Sequence, residues 1–284
     1  MDIRGILYLQ RMNIKAICTD IDGTLLNADR QLSARTIAAI QGIRDRMPVI
    51  LASSRMPSAM FHLQRELGIE RHPLICYNGG YVLYFDKHQE MQVFDSVTIP
   101  PAVMTSIVDL SEGSGIHISL YREDEWHAPG LDQWTEREQR ITKVAATIEG
   151  NRSVLRRWMV NGYGGHKVMC MGPAEEIHQL HQALANKHGD DIHIYISRPT
   201  YLEIAPISIS KGSALRDILS RHYQITMEEV LAFGDNYNDI DMLQAVGMGV
   251  AVANSRPEVL AIAREITAKS TDDGVAMTIE KYCW

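Results

Sequence analysis

The sequence predicts an α/β protein built on a parallel sheet, and three observations carry that reading. Short apolar runs at residues 14–18, 48–52 and 230–233 each break off into polar residues. Helical patterns stand between such runs in the opening third, and strands separated by helices imply parallel neighbours. From about Val82 to Asp191 the rhythm changes, and the length is enough for a second domain.

Residues 14–18 alternate weakly and read as a short buried strand, after which Gly23 permits a sharp turn. Ser33 is placed to cap a helix over Ala34 to Arg46, and a second helix starts at Pro57 or Ser58 and is stopped by Gly68. The middle block offers strands at 81–85, 92–97, 116–122 and 167–171, with helices near 101–112, 131–148 and 173–187. The chain then returns to its first rhythm with a strand at 230–233, a helix from Asp239 to Ala245, and a strand at 249–253. A helix after Pro257 and a last one from Asp273 complete it. These boundaries assign 13–82 and 192–284 to one domain, 83–191 to the inserted one, and 1–12 to an N-terminal extension. No repeat, low-complexity tract or long linker interrupts them.

The length of 284 residues is enough for two domains that each bury a core. A formal net charge of −7 argues against a broad nucleic-acid surface. Arg152, Arg156 and Arg157 are the local exception and read as a solvated helix face. Cys18, Cys76, Cys170 and Cys283 have no metal-ligand spacing, and the apolar runs around three of them suit packed thiols of a reducing compartment. His178 and His181 stand three apart on a predicted helix with no neighbouring ligand set, which favours an exposed face over a zinc site. No apolar run reaches the roughly 18 residues of a membrane span. Met1 to Met12 lack the features of a signal peptide, so a cytoplasmic protein is expected, with Met12 a second candidate start.

The chemistry gathers where the strands end. Asp20 and Asp22 follow the first strand, and in an extended segment their side chains would share one small volume. Such crowding asks for a cation or a proton: one carboxylate suits attack on an electrophile, the other suits proton transfer. A polar turn is the plainer alternative. Ser53, at the next strand end, offers a hydroxyl and backbone N–H groups to a phosphate oxygen, or simply a helix cap. Lys211 near a helix start is unfavourable beside the helix dipole unless an anion compensates it; the alternative is a surface lysine. Asp235 and Asp239 could complete an oxygen site for Mg²⁺ begun by Asp20, or belong to a helix-capping loop.

Double aspartate, serine, lysine and acidic cluster, in that order, resemble the motifs of the haloacid dehalogenase superfamily of phosphohydrolases. Asp20-Ile21-Asp22-Gly23-Thr24 is similar to its first motif, Ser210-Lys211-Gly212 to its third, and Gly234 through Leu243 to the fourth motif of the Cof-type branch. The second departs from the pattern: Ser53-Ser54-Arg55 stands where that branch has Thr-Gly-Arg, keeping the hydroxyl and replacing a glycine. Cys76 through Gly80 also resembles that branch.

The resemblance implies a Rossmann-like parallel sheet core with an inserted α+β cap domain, and an Mg²⁺-dependent phosphohydrolase working through an aspartyl-phosphate. By it, Asp20 is the nucleophile and Asp22 the general acid and base. Mg²⁺ is held by Asp20, the backbone carbonyl of Asp22 and Asp235, while Asp239 orients metal waters or Lys211 in the same cluster. Ser53, Ser54, Lys211 and Asn238 hold phosphate. The cap would choose the leaving group, with His117, Tyr121, Trp126, His166 and Lys167 as candidate contacts. The implied partner is a small phosphorylated metabolite: a sugar phosphate, pyridoxal phosphate, a thiamine-pathway pyrophosphate or flavin mononucleotide. Nucleic acid and membrane are not expected, and the chain is a monomer or homodimer. A phosphomutase and a non-catalytic phospho-metabolite sensor are the alternatives.

Overall fold

Strands that are apolar on both faces have to be covered on both, and the opening strands are of that kind: Ala16–Thr19 and Val49–Ala52 are buried at every position. The computed structural model describes residues 13–284, so the expected extension 1–12 lies outside the described residues. First come β1 (Ala16–Thr19), α1 (Ala34–Gln41), β2 (Val49–Ala52), α2 (Ser58–Leu67), β3 (Leu74–Cys76), β4 (Tyr81–Phe85) and β5 (Met91–Ser96). Next are α3 (Pro101–Leu110), β6 (His117–Arg122), β7 (Glu125–Ala128), α4 (Gln133–Thr142), β8 (Thr147–Ile148) and α5 (Asn151–Val160). β9 (Lys167–Met171), α6 (Ala174–His188), β10 (Ile192–Arg198) and β11 (Tyr201–Pro206) follow. The chain closes with α7 (Lys211–Ile218), β12 (Val230–Gly234), α8 (Ile240–Ala245), β13 (Met248–Val252), α9 (Pro257–Ile262), β14 (Glu265–Thr267) and α10 (Gly274–Cys283).

These elements divide into two compact units, and the first comprises the described residues up to Ser53, Phe61–Phe94 and Ser210–Trp284. Its eight-stranded sheet runs β14, β13, β12, β1, β2, β3, β4, β5. Neighbours from β14 to β3 are parallel, and β4 turns back antiparallel on β3. The chain steps outward from β1 to β3, then returns to lay β12 on the other side of β1. That Rossmann-like order reverses between β1 and β12, which opens a crevice outside their carboxyl ends. Ile50, Ala52, Leu215, Ile218 and Leu243 are buried together in the core beneath it. Ser33 caps α1 as the sequence predicts, its hydroxyl accepting the Thr36 N–H at 3.0 Å.

The second unit, Ser54–Met60 with Asp95–Ile209, holds a six-stranded sheet in the order β10, β11, β9, β6, β7, β8. Its strands alternate. Ile118, Leu120, Val168, Cys170, Leu202 and Ile204 form one core with side chains of α3, α5 and α6. The intervening positions, His117, Ser119, Tyr121, Lys167 and Glu203, take the opposite face, with Tyr121 in register with Lys167.

The sheets correct the predicted boundaries of 83 and 191. β4 pairs with β3, so the first unit extends to Phe94, and the β10–β11 hairpin pairs with β9, so the second extends to Ile209. Ladder partners decide this, and strand periodicity does not name them. The helix predicted over 131–148 stops at Thr142, where Lys143 takes a left-handed conformation at φ 59°. Arg152 pairs with Asp109 and Glu112, and Arg157 with Glu149, an ion-paired surface rather than a basic patch. All four cysteines are free and buried. Among the described residues no helix is long and apolar enough to cross a membrane.

Candidate active site

β1 delivers Asp20 to the crevice, where its N–H donates to the Phe233 carbonyl of β12 at 3.0 Å. α7 begins at Lys211 behind Ser210, whose hydroxyl accepts the Ser213 N–H at 3.0 Å. The Lys211 side chain is fully buried, and its Nζ donates to Asp20 Oδ1 at 2.5 Å and to Asp239 Oδ1 at 2.7 Å. Asp239 Oδ2 accepts the N–H groups of Asp235 and Asn236 at 2.9 and 3.0 Å. Asp235 Oδ1 accepts the Thr24 hydroxyl at 3.0 Å. Gly23 is required twice over: its φ is +88°, and a Cβ there would stand 2.5 Å from Asp235 Oδ2.

Carboxylate oxygens of Asp20, Asp235 and Asp239 lie within 4.8 Å of one another, the one such group among the described residues. Asp22 is not in it. The strand ends at Thr19 and the chain turns at Asp22, so the expected crowding of Asp20 and Asp22 is replaced by crowding of Asp20 and Asp235. The half-exposed Asp22 carboxylate instead meets the Arg30 guanidinium at 3.2 Å.

Burial pushes the Asp20 carboxyl well above its ordinary value; Lys211 opposes the rise, while Asp239 and Asp235 add to it. Burial and Asp239 likewise raise Asp235 to about 6, against the Thr24 hydrogen bond. Burial alone would lower Lys211, but Asp20 and Asp239 more than offset it and hold the ammonium charged. Three carboxylates therefore face one ammonium. An all-oxygen donor set with surplus negative charge fits a hard divalent cation such as Mg²⁺. Both Asp239 oxygens already serve Lys211 and backbone N–H groups, which leaves Asp20 and Asp235 as the side chains suited to ligate.

Ser53, at the end of β2, is buried; its N–H donates to the Ile75 carbonyl at 2.9 Å and its carbonyl accepts the Asn78 N–H at 2.9 Å. Asn238 Nδ2 donates to Asn78 Oδ1 at 2.9 Å. Asn78 thus ties the Ser53 and Asn238 segments together, a role that sequence reasoning missed. The signal was the Asn-Gly pair, since Asn78 sits at φ 57° and Gly79 at φ 110°. Thr24 was given no role either, although it closes the Asp20 motif. Ser54 falls in the second unit, and its carbonyl accepts the Lys167 Nζ at 2.9 Å.

The five candidate contacts of the second unit are all buried. His117 is held between Asp132 at 2.8 Å and Ser119 at 2.9 Å. Tyr121 and Trp126 stack with ring centroids 5.7 Å apart, and Lys167 Nζ lies 4.5 Å from the Tyr121 ring centre. His166 Nδ1 accepts the Glu123 N–H at 2.9 Å, which makes Nε2 the donor to Ser96 Oγ at 3.0 Å. Burial, assisted by Arg122, lowers His166 to about 3, so the ring is neutral. His117 and His166 are thus hydrogen-bonded, and Trp126 is stacked, within this unit. An alternating strand buries polar residues as readily as it presents them once partners are supplied.

A Rossmann-like core thus brings a carboxylate pair, a buried lysine and a serine to the carboxyl ends of its strands. The model of the haloacid dehalogenase-like hydrolases matches residues 17–279. The chain belongs to that family, and its class of activity is phosphoric monoester hydrolysis. It is 30% identical to the HMP-PP phosphatase of Serratia proteamaculans over 84% of each chain. It is 28% identical to the 5-amino-6-(5-phospho-D-ribitylamino)uracil phosphatase YitU of Bacillus subtilis, over 94% of this chain and 96% of the relative. A haloacid dehalogenase-like hydrolase from Bacteroides thetaiotaomicron superposes with a TM-score of 0.82 at 27% identity, covering 94% of this chain and 99% of that one. The second unit is accordingly the cap of the family fold.

Proposed function

We propose that the chain is an Mg²⁺-dependent phosphatase that releases phosphate from a small phosphorylated metabolite through an aspartyl-phosphate on Asp20. The observation that carries this is the set of buried Asp20, Lys211 and Asp239 with the half-buried Asp235 at the switch point of the sheet. Asp20 and Asp235, with the backbone carbonyl of Asp22, would hold Mg²⁺, which when bound offsets the negative charge shared by carboxylate and phosphoryl group.

An Asp20 carboxylate oxygen attacks phosphorus, and the bond to the leaving alkoxide breaks. Asp22 gives its proton to that alkoxide; the exposed edge on which it stands suits a group that exchanges protons in each half-reaction. In the second half-reaction Asp22 takes a proton from the water that attacks the aspartyl-phosphate, and inorganic phosphate leaves Asp20 as a carboxylate. Lys211 spreads its charge over Asp20 and the equatorial phosphoryl oxygens. Ser53 and Asn238, aligned through Asn78, donate to the remaining oxygens. Asp239 acts on Lys211, which it holds at 2.7 Å.

The relatives' names, an HMP-PP phosphatase and a phosphoribitylaminouracil phosphatase, support a small phosphorylated metabolite. Four free buried thiols fit a reducing compartment, and we place the enzyme in the cytoplasm. The test is phosphate release from p-nitrophenyl phosphate and a metabolite panel, with Mg²⁺ or a chelator, for wild type and Asp20→Asn. Metal-dependent release that a folded Asp20→Asn protein lacks is the expected result; equal release by the two would overturn the assignment.

A further inference from the structure

The edge of the core sheet opposite the crevice carries a cavity of about 760 Å³, a size that suits a small organic ligand. Its lining comes from the segments that enter β2 and β3 and leave β4, and includes Arg44, Phe61, Gln64, Arg65, Arg71 and Phe85. The walls are fixed from within. Gln64 Nε2 donates to the His72 carbonyl at 2.8 Å, and His72 Nδ1 accepts the Val49 N–H at 3.0 Å. Arg44 Nη1 donates to the Gly68 carbonyl at 3.1 Å, an approach that only glycine allows, because a Cβ at Gly68 would stand 1.5 Å from that nitrogen.

Two features of this cavity are not used by the fold. Arg65 and Arg71 are exposed and have no ion-pair partner among the described residues. Phe61 and Phe85 meet edge to face at 5.6 Å and 65°, and both remain partly exposed. Asp45 also lines the cavity, but it lies beside Arg44 and His72. The balance left among Arg65, Glu70 and Arg71 is positive.

We propose that this cavity is a second binding site, for a small aromatic anion whose ring lies against Phe61 and Phe85 and whose acid group is met by Arg65 and Arg71. Guanidinium groups suit a carboxylate or phosphate by geometry as well as charge, and the phenylalanine pair supplies the apolar wall. Binding here is independent of phosphoryl transfer, because the residues involved stand at the amino ends of the strands that carry Asp20 and Ser53 at their carboxyl ends.

The probe is 1-naphthoate, titrated by calorimetry into the full chain. Saturable binding is expected, unchanged in Asp20→Asn and weakened by about 10-fold or more in Arg65→Glu/Arg71→Glu. Both arginines are exposed, so the double variant should keep its fold, which far-UV dichroism checks. Absence of saturable binding in wild type, or equal affinity in the double variant, would each overturn the proposal.

Discussion

The core sheet and the cap sheet use the same building blocks in opposite ways. In the core, β1, β2 and β12 are buried along their whole length and almost wholly apolar, and their chemistry stands one step beyond the last strand residue, at Asp20, Ser53 and Asp235. In the cap, polar groups lie within the strands on every second position, at His117, Ser119, Tyr121 and Lys167, and are neutralised there by one another. A core of the first kind concentrates function where the backbone stops pairing. A sheet of the second kind spends polar side chains on its own cohesion.

Substitution should separate the two. Lys211→Met strikes the core hardest: it leaves Asp20 and Asp239 buried without their cation, at a cost of about 3–5 kcal/mol in stability. Phosphate release by the remaining folded protein should fall by about 10²–10³-fold. Urea unfolding read alongside activity measures both, and a Lys211→Met enzyme of normal activity would break the comparison. Trp126→Ala should cost the cap a similar stability, about 3–5 kcal/mol, because the side chain is 2% exposed and stacked on Tyr121. Its kcat per folded molecule should stay within about twofold of wild type. A selective loss of kcat in a stable Trp126→Ala protein would return Trp126 to the substrate.

His166 sharpens the contrast through pH. Its folded pKa, about 3, lies below the value of an exposed imidazole, so the unfolded chain binds a proton that the folded cap excludes. The stability this contributes is complete above about pH 6.5 and is lost as pH falls from there toward 3. His166→Gln should flatten the urea midpoint between pH 7 and pH 5, and a slope unchanged by that substitution would contradict the neutral assignment. Arg30→Ala is the smallest expected effect. Its ion pair with Asp22 is 42% and 38% exposed, so unfolding stability should change by less than about 1 kcal/mol. A larger loss in urea unfolding would show a tighter structural role for Arg30.

The same division explains what could be read from the sequence. Apolar runs that end in Asp20, Ser53 and Asp235 announce a parallel sheet and its crevice together, because burial on both faces and exposure at the end are local properties of the run. The position of Asp22 could not be read that way. Whether it sits beside Asp20 depends on where β1 stops pairing with β12, a contact more than 200 residues away in sequence. Asn78 was hidden for a related reason, since its partners Ser53 and Asn238 belong to distant segments. In the cap, alternation located the strands but could not name the partners of His117 and His166, Asp132 and Ser96, which lie elsewhere in the sequence. Residues 192–209 were given to the first domain because nothing local in their sequence names β9 as the neighbour with which β11 pairs.

The claim on which the rest depends is that Asp20 carries the phosphoryl group. Acid quenching during turnover, proteolysis and mass spectrometry of the peptides tests it directly. The account predicts a phosphoryl adduct on the peptide containing Asp20, formed with Mg²⁺ and absent from Asp20→Asn; an adduct on Ser53, or turnover undiminished in the Asp20→Asn enzyme, would contradict it.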